Sequence, residues 1–130
     1  MKKLCMSAIV LAALVSVVSC DKDDDKPNNS TLSKLQAKWG VQNIQMEFSD
    51  GDSTYTGTAA DYLDFRTDNR VYSQVQNEKD TLDYKLVNDT TLVIDGDTSK
   101  ISQLTGSQFV VVEKFVVLGD TSIITYNLKK

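Results

Sequence analysis

The chain has 130 residues, 14 Lys+Arg against 18 Asp+Glu, two Cys and no His, for a net charge of −4. One domain fits that length, and 41% hydrophobic with 25% charged residues excludes wholesale disorder. The absence of His removes the usual general base, the commonest metal ligand and every Ser-His or Cys-His nucleophile pair, and the acidic balance argues against nucleic acid, whose phosphates need a basic face.

In chain order, the first segment is an address. Met1-Lys2-Lys3 is a short basic start, and Leu4 to Val18 is an apolar run interrupted only by Ser7 and Ser16. A basic n-region followed by an apolar stretch too short for a comfortable membrane span reads as a signal peptide. It ends in Val17-Val18-Ser19-Cys20, which resembles the lipobox of bacterial lipoproteins, where small and apolar residues precede an invariant Cys. The resemblance implies cleavage before Cys20, a diacylglycerol on its thiol and an acyl chain on the new amine, so that the membrane is met through lipid. An ordinary secretory signal and an uncleaved anchor are the alternatives. Several acyl chains at one Cys hold firmly, because each buried methylene contributes roughly 0.8 kcal/mol. Loss of residues 1–19 takes away Lys2, Lys3, Cys5 and no acid, leaving 12 basic against 18 acidic residues, a net charge of −6. The acylated chain would then carry neither a free thiol nor a disulfide.

Asp21-Lys22-Asp23-Asp24-Asp25-Lys26-Pro27-Asn28-Asn29-Ser30 follows. With no apolar residue but Pro27 it cannot fold by burial and reads as a tether, which reaches roughly 30 Å when extended. Lys22-Asp23-Asp24 resembles the export signal of Bacteroidota surface lipoproteins, a Lys and two acids just after the lipidated Cys. That implies an outer-membrane, surface-exposed protein. A plain solvated spacer is the alternative, and Asp21 directly after the Cys is in other Gram-negative bacteria a mark of inner-membrane retention. The acidic run favours the surface.

From Thr31 onward the pattern is apolar alternation at period two, cut by turn residues. Thr31–Lys38 is the one helix-like piece, a turn or two with Leu32 and Leu35 three apart and Ser30 or Thr31 as cap. Eight strands are expected after it. Trp39–Phe48 has Trp39 and Val41 inward, then Ile44, Met46 and Phe48 after a change of phase. Asp50-Gly51-Asp52 turns, and Ser49–Ala60 is the one long connection. Asp61–Arg66 places Leu63 and Phe65 on one face, and Thr67-Asp68-Asn69 leads tightly into Arg70–Gln76, with Val71 and Val75 together. Thr81–Val87 alternates Leu82, Tyr84 and Leu86 with polar residues. Thr90–Asp95 points Leu92 and Ile94 inward, and Asp95-Gly96 is a strong hairpin signal. In Thr98–Leu104, Ile101 and Leu104 are out of phase, as a bulge would make them. Gln108–Leu118 is the longest apolar strand, and Gly119-Asp120 turns into Thr121–Leu128. Short connections between sequential strands mean antiparallel neighbours, and a meander of this length leaves two open edges unless it closes. The expected fold is all-β, an up-and-down eight-stranded barrel with a short N-terminal helical turn. An open curved sheet is the runner-up.

Leu35-Gln36-Ala37-Lys38-Trp39, the run Asp61–Tyr72 and Tyr84-Lys85-Leu86 with Leu92-Val93-Ile94 resemble the lipocalin-like domains of Bacteroidota lipoproteins over residues 32–130. The shared features are a Trp opening the first strand and an aromatic-acidic strand running through a tight turn into the next. Ala37 stands where that family usually has Gly. Lys129 and Lys130 are the residues available for the basic group that lipocalins pack over the Trp. The resemblance implies a small barrel that binds rather than catalyses.

Such a barrel either fills with side chains or holds one small ligand. The inward set is Trp39, Leu63, Phe65, Leu82, Tyr84, Leu92, Ile94, Val111, Phe115 and Tyr126. It reads as a packed core, with a shallow apolar pocket at one mouth as the functional alternative. Trp39, Leu63, Phe65, Leu82, Tyr84 and Tyr126 are the ligand-lining candidates. Asp50-Gly51-Asp52 and Asp95-Gly96-Asp97 match no Ca²⁺ loop and are expected turn formers. Glu47, Glu78, Glu113, Asp61, Asp64 and Asp83 are the carboxylates a hydrolase could pair, but most fall on outward phases or in turns and read as solvated surface. No phosphate loop and no nucleophile elbow occurs, so no cofactor is implied. Asp52-Ser53-Thr54, Asp80-Thr81-Leu82 and Asp89-Thr90-Thr91 resemble the short Asp-Ser/Thr pattern of Bacteroidota O-glycosylation. The partners expected are the membrane, a small apolar or amphipathic ligand, and, as the alternative function, another envelope protein met by a filled barrel.

Overall fold

A computed structural model describes residues 28–130. Cys20, Lys22, Asp23 and Asp24, with the rest of residues 1–27 on which the signal and tether expectations fall, lie outside the described residues. Helix α1 (Asn29–Leu35) precedes β1 (Lys38–Phe48), β2 (Gly51–Thr56), β3 (Tyr62–Phe65), β4 (Arg70–Val75), β5 (Glu78–Asn88), β6 (Thr91–Ile94), β7 (Asp97–Leu104), β8 (Gln108–Val117) and β9 (Asp120–Lys129). From β3 to β9 each strand pairs antiparallel with the next, and β9 returns to β1 along Gly40–Glu47. That ladder closes eight strands into the expected up-and-down barrel and excludes the open sheet. The closure on the other side of β1 is short, because β1 meets β3 only through Lys38–Gly40.

The rest of that edge of β1 is taken by β2, a ninth strand where the sequence pattern predicts only a connection. Gly51–Thr56 lies outside the barrel wall with only Tyr55 half-buried. Solvent on both faces leaves no apolar alternation to read. Its return to the barrel is tight. Gly57 donates its N–H to the Gln42 carbonyl at 2.9 Å, and a Cβ there would overlap the Val41 carbonyl oxygen. The helix also begins earlier than expected, at Asn29, because Asn28 rather than Ser30 or Thr31 is the cap. Its side chain accepts from the Ser30 N–H at 2.9 Å.

Both changes of phase appear as register shifts. One between Val41 and Asn43 turns the inward set of β1 from Trp39 and Val41 to Ile44 and Met46. The other, between Ile101 and Gln103, reconciles Ile101 with Leu104. Asp95-Gly96 forms its two-residue turn with φ of 52° and 87°, as do Gln76-Asn77 and Leu118-Gly119 with positive φ throughout. Two positive φ values are what a type I′ hairpin needs.

The barrel has two unlike ends. At the first lie α1, the C-terminus and the β3–β4, β5–β6 and β7–β8 connections, and here the core is densest. Leu35, Trp39, Phe65 and Phe109 are fully buried. The Trp39 ring centroid is 5.4 Å from that of Phe109, which in turn lies 5.8 Å from Phe65, and Phe65 meets Tyr84 edge-on at 5.1 Å. Trp39 donates its indole N–H to the Leu35 carbonyl at 3.1 Å, so the helix is fastened over this end as a plug. Lys130 sets its Nζ 4.7 Å from the centre of the Trp39 ring. Tyr84 donates to the Arg66 carbonyl at 2.7 Å and accepts from Gln36 at 3.1 Å, and burial pushes its phenol pKa up. The chain enters at this same end, where the Asn28 N–H donates to Asp89 of the β5–β6 turn at 2.6 Å.

Candidate functional site

At the opposite end the β1–β2, β4–β5, β6–β7 and β8–β9 turns surround an opening, and no element covers it among the described residues. Alternation along each strand aims one residue in two at the axis. On this half of the barrel those residues are mostly aliphatic, where the plugged end has a cluster of rings. The result is a mouth cavity of about 360 Å³, open to solvent. Val71 and Val111, both buried, form its floor. Ile44, Leu63, Leu82 and Ile94 form its walls.

Set into this apolar surface is a group of polar side chains. Glu113 on β8 stands directly across from Ser99 on β7, and Tyr126 on β9 stands across from Val111. Asp97 on β7, Asp95 in the β6–β7 turn and Ser73 on β4 complete the polar lining. Burial, and then the nearby charge of Asp97, raise the pKa of Glu113. Burial, and then Glu113, raise that of Tyr126. The lining holds no Lys or Arg among the described residues. The mouth is therefore an apolar cup with a negatively biased polar side.

Asp61 braces the same end from outside the cavity. Its carboxylate accepts four hydrogen bonds: from the Tyr55 hydroxyl at 2.6 Å, from the Thr58 N–H at 2.7 Å and hydroxyl at 2.9 Å, and from the Gln76 N–H at 3.0 Å. These donors come from β2, the β2–β3 connection and the β4–β5 turn, so one side chain ties three segments to the rim. Led by the Tyr55 bond, they hold its pKa at about 2, well below the usual carboxylate range, against the opposing effect of burial.

The six ligand-lining candidates divide between the two ends. Leu63, Leu82 and Tyr126 line the cavity, whereas Trp39, Phe65 and Tyr84 are packed into the plugged end and face no open space. Of the wider inward set, Ile94 and Val111 also line the mouth, and Leu92 is core. Phe115 is half-buried on the protruding part of β8. Two carboxylates expected as solvated surface are not. Asp61 is 3% exposed, because four donors replace its water, and Glu113 occupies an inward position. The phase of β8 carried the signal for Glu113, since it lies between Val111 and Phe115 at the same period-two spacing. No family model matches the chain, and no curated protein matches it.

Proposed function

We propose that the protein is a lipid-anchored, surface-exposed outer-membrane lipoprotein whose lipocalin-like barrel binds one small apolar or amphipathic ligand without chemistry. The observation that carries the binding reading is the mouth cavity. A barrel built for stability alone fills its interior, and this one fills half and leaves about 360 Å³ open beneath a polar rim. The opening Trp39 and the Lys130 ammonium stacked on its ring support the lipocalin-like reading.

Native mass spectrometry of the protein purified from its own host should show a retained small molecule. A Leu82→Trp variant, which puts a large ring into the cavity, should lose it while melting within a few degrees of the wild type. A wild-type spectrum with no added mass, together with no binding of an apolar fluorescent dye, would refute the binding reading.

The anchor rests on the Val17–Cys20 resemblance, and surface display on Lys22-Asp23-Asp24. Cys20→Ala should release the protein from membranes and abolish uptake of labelled acyl chains. Protease added to intact cells should remove the wild-type domain. Full protection of the domain would place it inside the envelope instead.

A second reading, a protein-interaction module, is favoured by one feature. The β8–β9 hairpin projects past the mouth and ends in exposed Val116, Val117 and Leu118, with Leu118 held at a φ of 52°. An apolar tip in solvent is the kind of surface a partner covers.

A further inference from the structure

We infer that the mouth selects a ligand with a cationic head, an ammonium carried on a short apolar body, seated with its nitrogen against Glu113. This inference rests on the reading of the mouth as a binding site and adds the chemical class of what binds there. Every formally charged side chain in the lining is acidic: Glu113, Asp97 and Asp95. The other polar groups, Ser73, Ser99 and Tyr126, are neutral, and Tyr126 stays so because burial and Glu113 raise its pKa.

The position of Glu113 matters more than the count of acids. It stands on the inner face of β8, two residues or about 7 Å above the buried floor residue Val111. Asp95 and Asp97, in contrast, belong to the exposed rim. A carboxylate among Ile44, Leu82 and Ile94 has lost part of its water and faces Asp97 rather than a base. An ammonium placed there supplies the missing opposite charge, and the interaction is stronger than in bulk water because the walls are apolar. The same carboxylates repel a fatty acid or any other anionic amphiphile. The short distance from Glu113 to the floor limits the apolar body to a small one. Of the groups facing Glu113, Asp97 comes from β7, Tyr126 from β9 and Asp95 from the β6–β7 turn, and none of these can serve as its cation.

Benzylammonium, benzyl alcohol and benzoate share one ring and differ in the charge of the head. Titrated calorimetrically into the full mature protein in lipid nanodiscs, with empty nanodiscs as blank, they separate charge from burial. At pH 7 benzylammonium is expected to bind about tenfold more tightly than benzyl alcohol, the size of one charge-assisted hydrogen bond. Benzoate should bind more weakly than the alcohol. Glu113→Gln should remove the tenfold advantage of benzylammonium over benzyl alcohol. Asp97→Asn, which keeps Glu113, should remove only part of it and provides a second variant should Glu113→Gln fold poorly. In the wild type, affinity for benzylammonium should rise with pH as Glu113 ionises, and that rise should vanish in the Gln variant. Equal affinity for ammonium and alcohol, or tightest binding by benzoate, would overturn the cationic class while leaving an apolar binding site standing. If none of the three binds, the reading of the mouth as a ligand site falls, and this inference with it.

Discussion

Trp39→Ala is expected to destabilise the barrel by about 3–5 kcal/mol, the usual range for removing a fully buried Trp. The ring is the centre of the plugged end. It packs on Phe109, is covered by Lys130, and holds α1 through its bond to the Leu35 carbonyl. Truncation leaves a cavity and takes away one of the two hydrogen bonds to the Leu35 carbonyl, which keeps the one from the Ala37 N–H at 2.8 Å. Small domains have roughly 5–15 kcal/mol in all, so the variant should sit close to its unfolding transition. Its Tm should fall by roughly 15–30 °C. In urea the midpoint should move to lower concentration with an unchanged slope, as befits a loss of stability without a change in the surface exposed. Trp39→Phe keeps a ring against Phe109 but gives up the indole donor, and should lose about 1 kcal/mol for that bond in addition to the smaller ring. A Trp39→Ala protein that melts with the wild type would mean that α1 and the C-terminal Lys do not depend on the ring.

The second large effect is expected at Asp61. Asp61→Ala withdraws the shared acceptor from the Tyr55 and Thr58 hydroxyls and from two backbone N–H groups at once, and should loosen β2, the β2–β3 connection and the β4–β5 turn together. Hydrogen exchange should then rise at Thr58 and Gln76. Asp61→Asn keeps one oxygen for Tyr55 and Thr58 but turns its NH2 towards the Gln76 N–H, so it should recover only part of the loss. The pH dependence has a definite sign. The folded-state pKa lies near 2, below the ordinary 3.8, so the carboxylate's contribution is fully present above that ordinary value. It is lost as pH falls from 3.8 towards 2, because the unfolded chain takes up the proton first. Thermal melts should therefore show wild type and Asp61→Asn converging across that window. A gap that stays constant there would assign the acid loss of stability to other carboxylates.

How much of this was legible in the sequence depended on what each residue faces. Strands with one face in the core announce themselves by alternation, and even the bulges in β1 and β7 could be placed, because Val41 to Ile44 and Ile101 to Leu104 break the period by one. The Asp95-Gly96 hairpin was equally plain, since few other pairs tolerate its backbone. β2 was not legible, for a strand wet on both faces has no period to show. Asp61 and Glu113 escape the pattern for a related reason. A lone acid in an alternating stretch reads as surface unless its register is followed residue by residue, and hydrogen bonds from Tyr55, Thr58 and Gln76 are contacts no local pattern encodes. The division of labour between Trp39, Phe65 and Tyr84 on one side and Leu63, Leu82 and Tyr126 on the other was hidden as well. Both groups point inward, and only the height along the barrel separates core from mouth.

The bond from Asn28 to Asp89 fixes the end at which the tether joins the barrel, and it is the end remote from the opening. If Cys20 carries the acyl chains, the eight residues Asp21–Asn28 can span roughly 26–29 Å at most, between the lipid and the plugged base. On that proposal the point of attachment is the plugged base, and the open rim is the end of the barrel farthest from it. Cargo would be collected from the surrounding water and not drawn up from the bilayer. Any acceptor of that cargo would have to approach from above, where Val116, Val117 and Leu118 rise beside the rim.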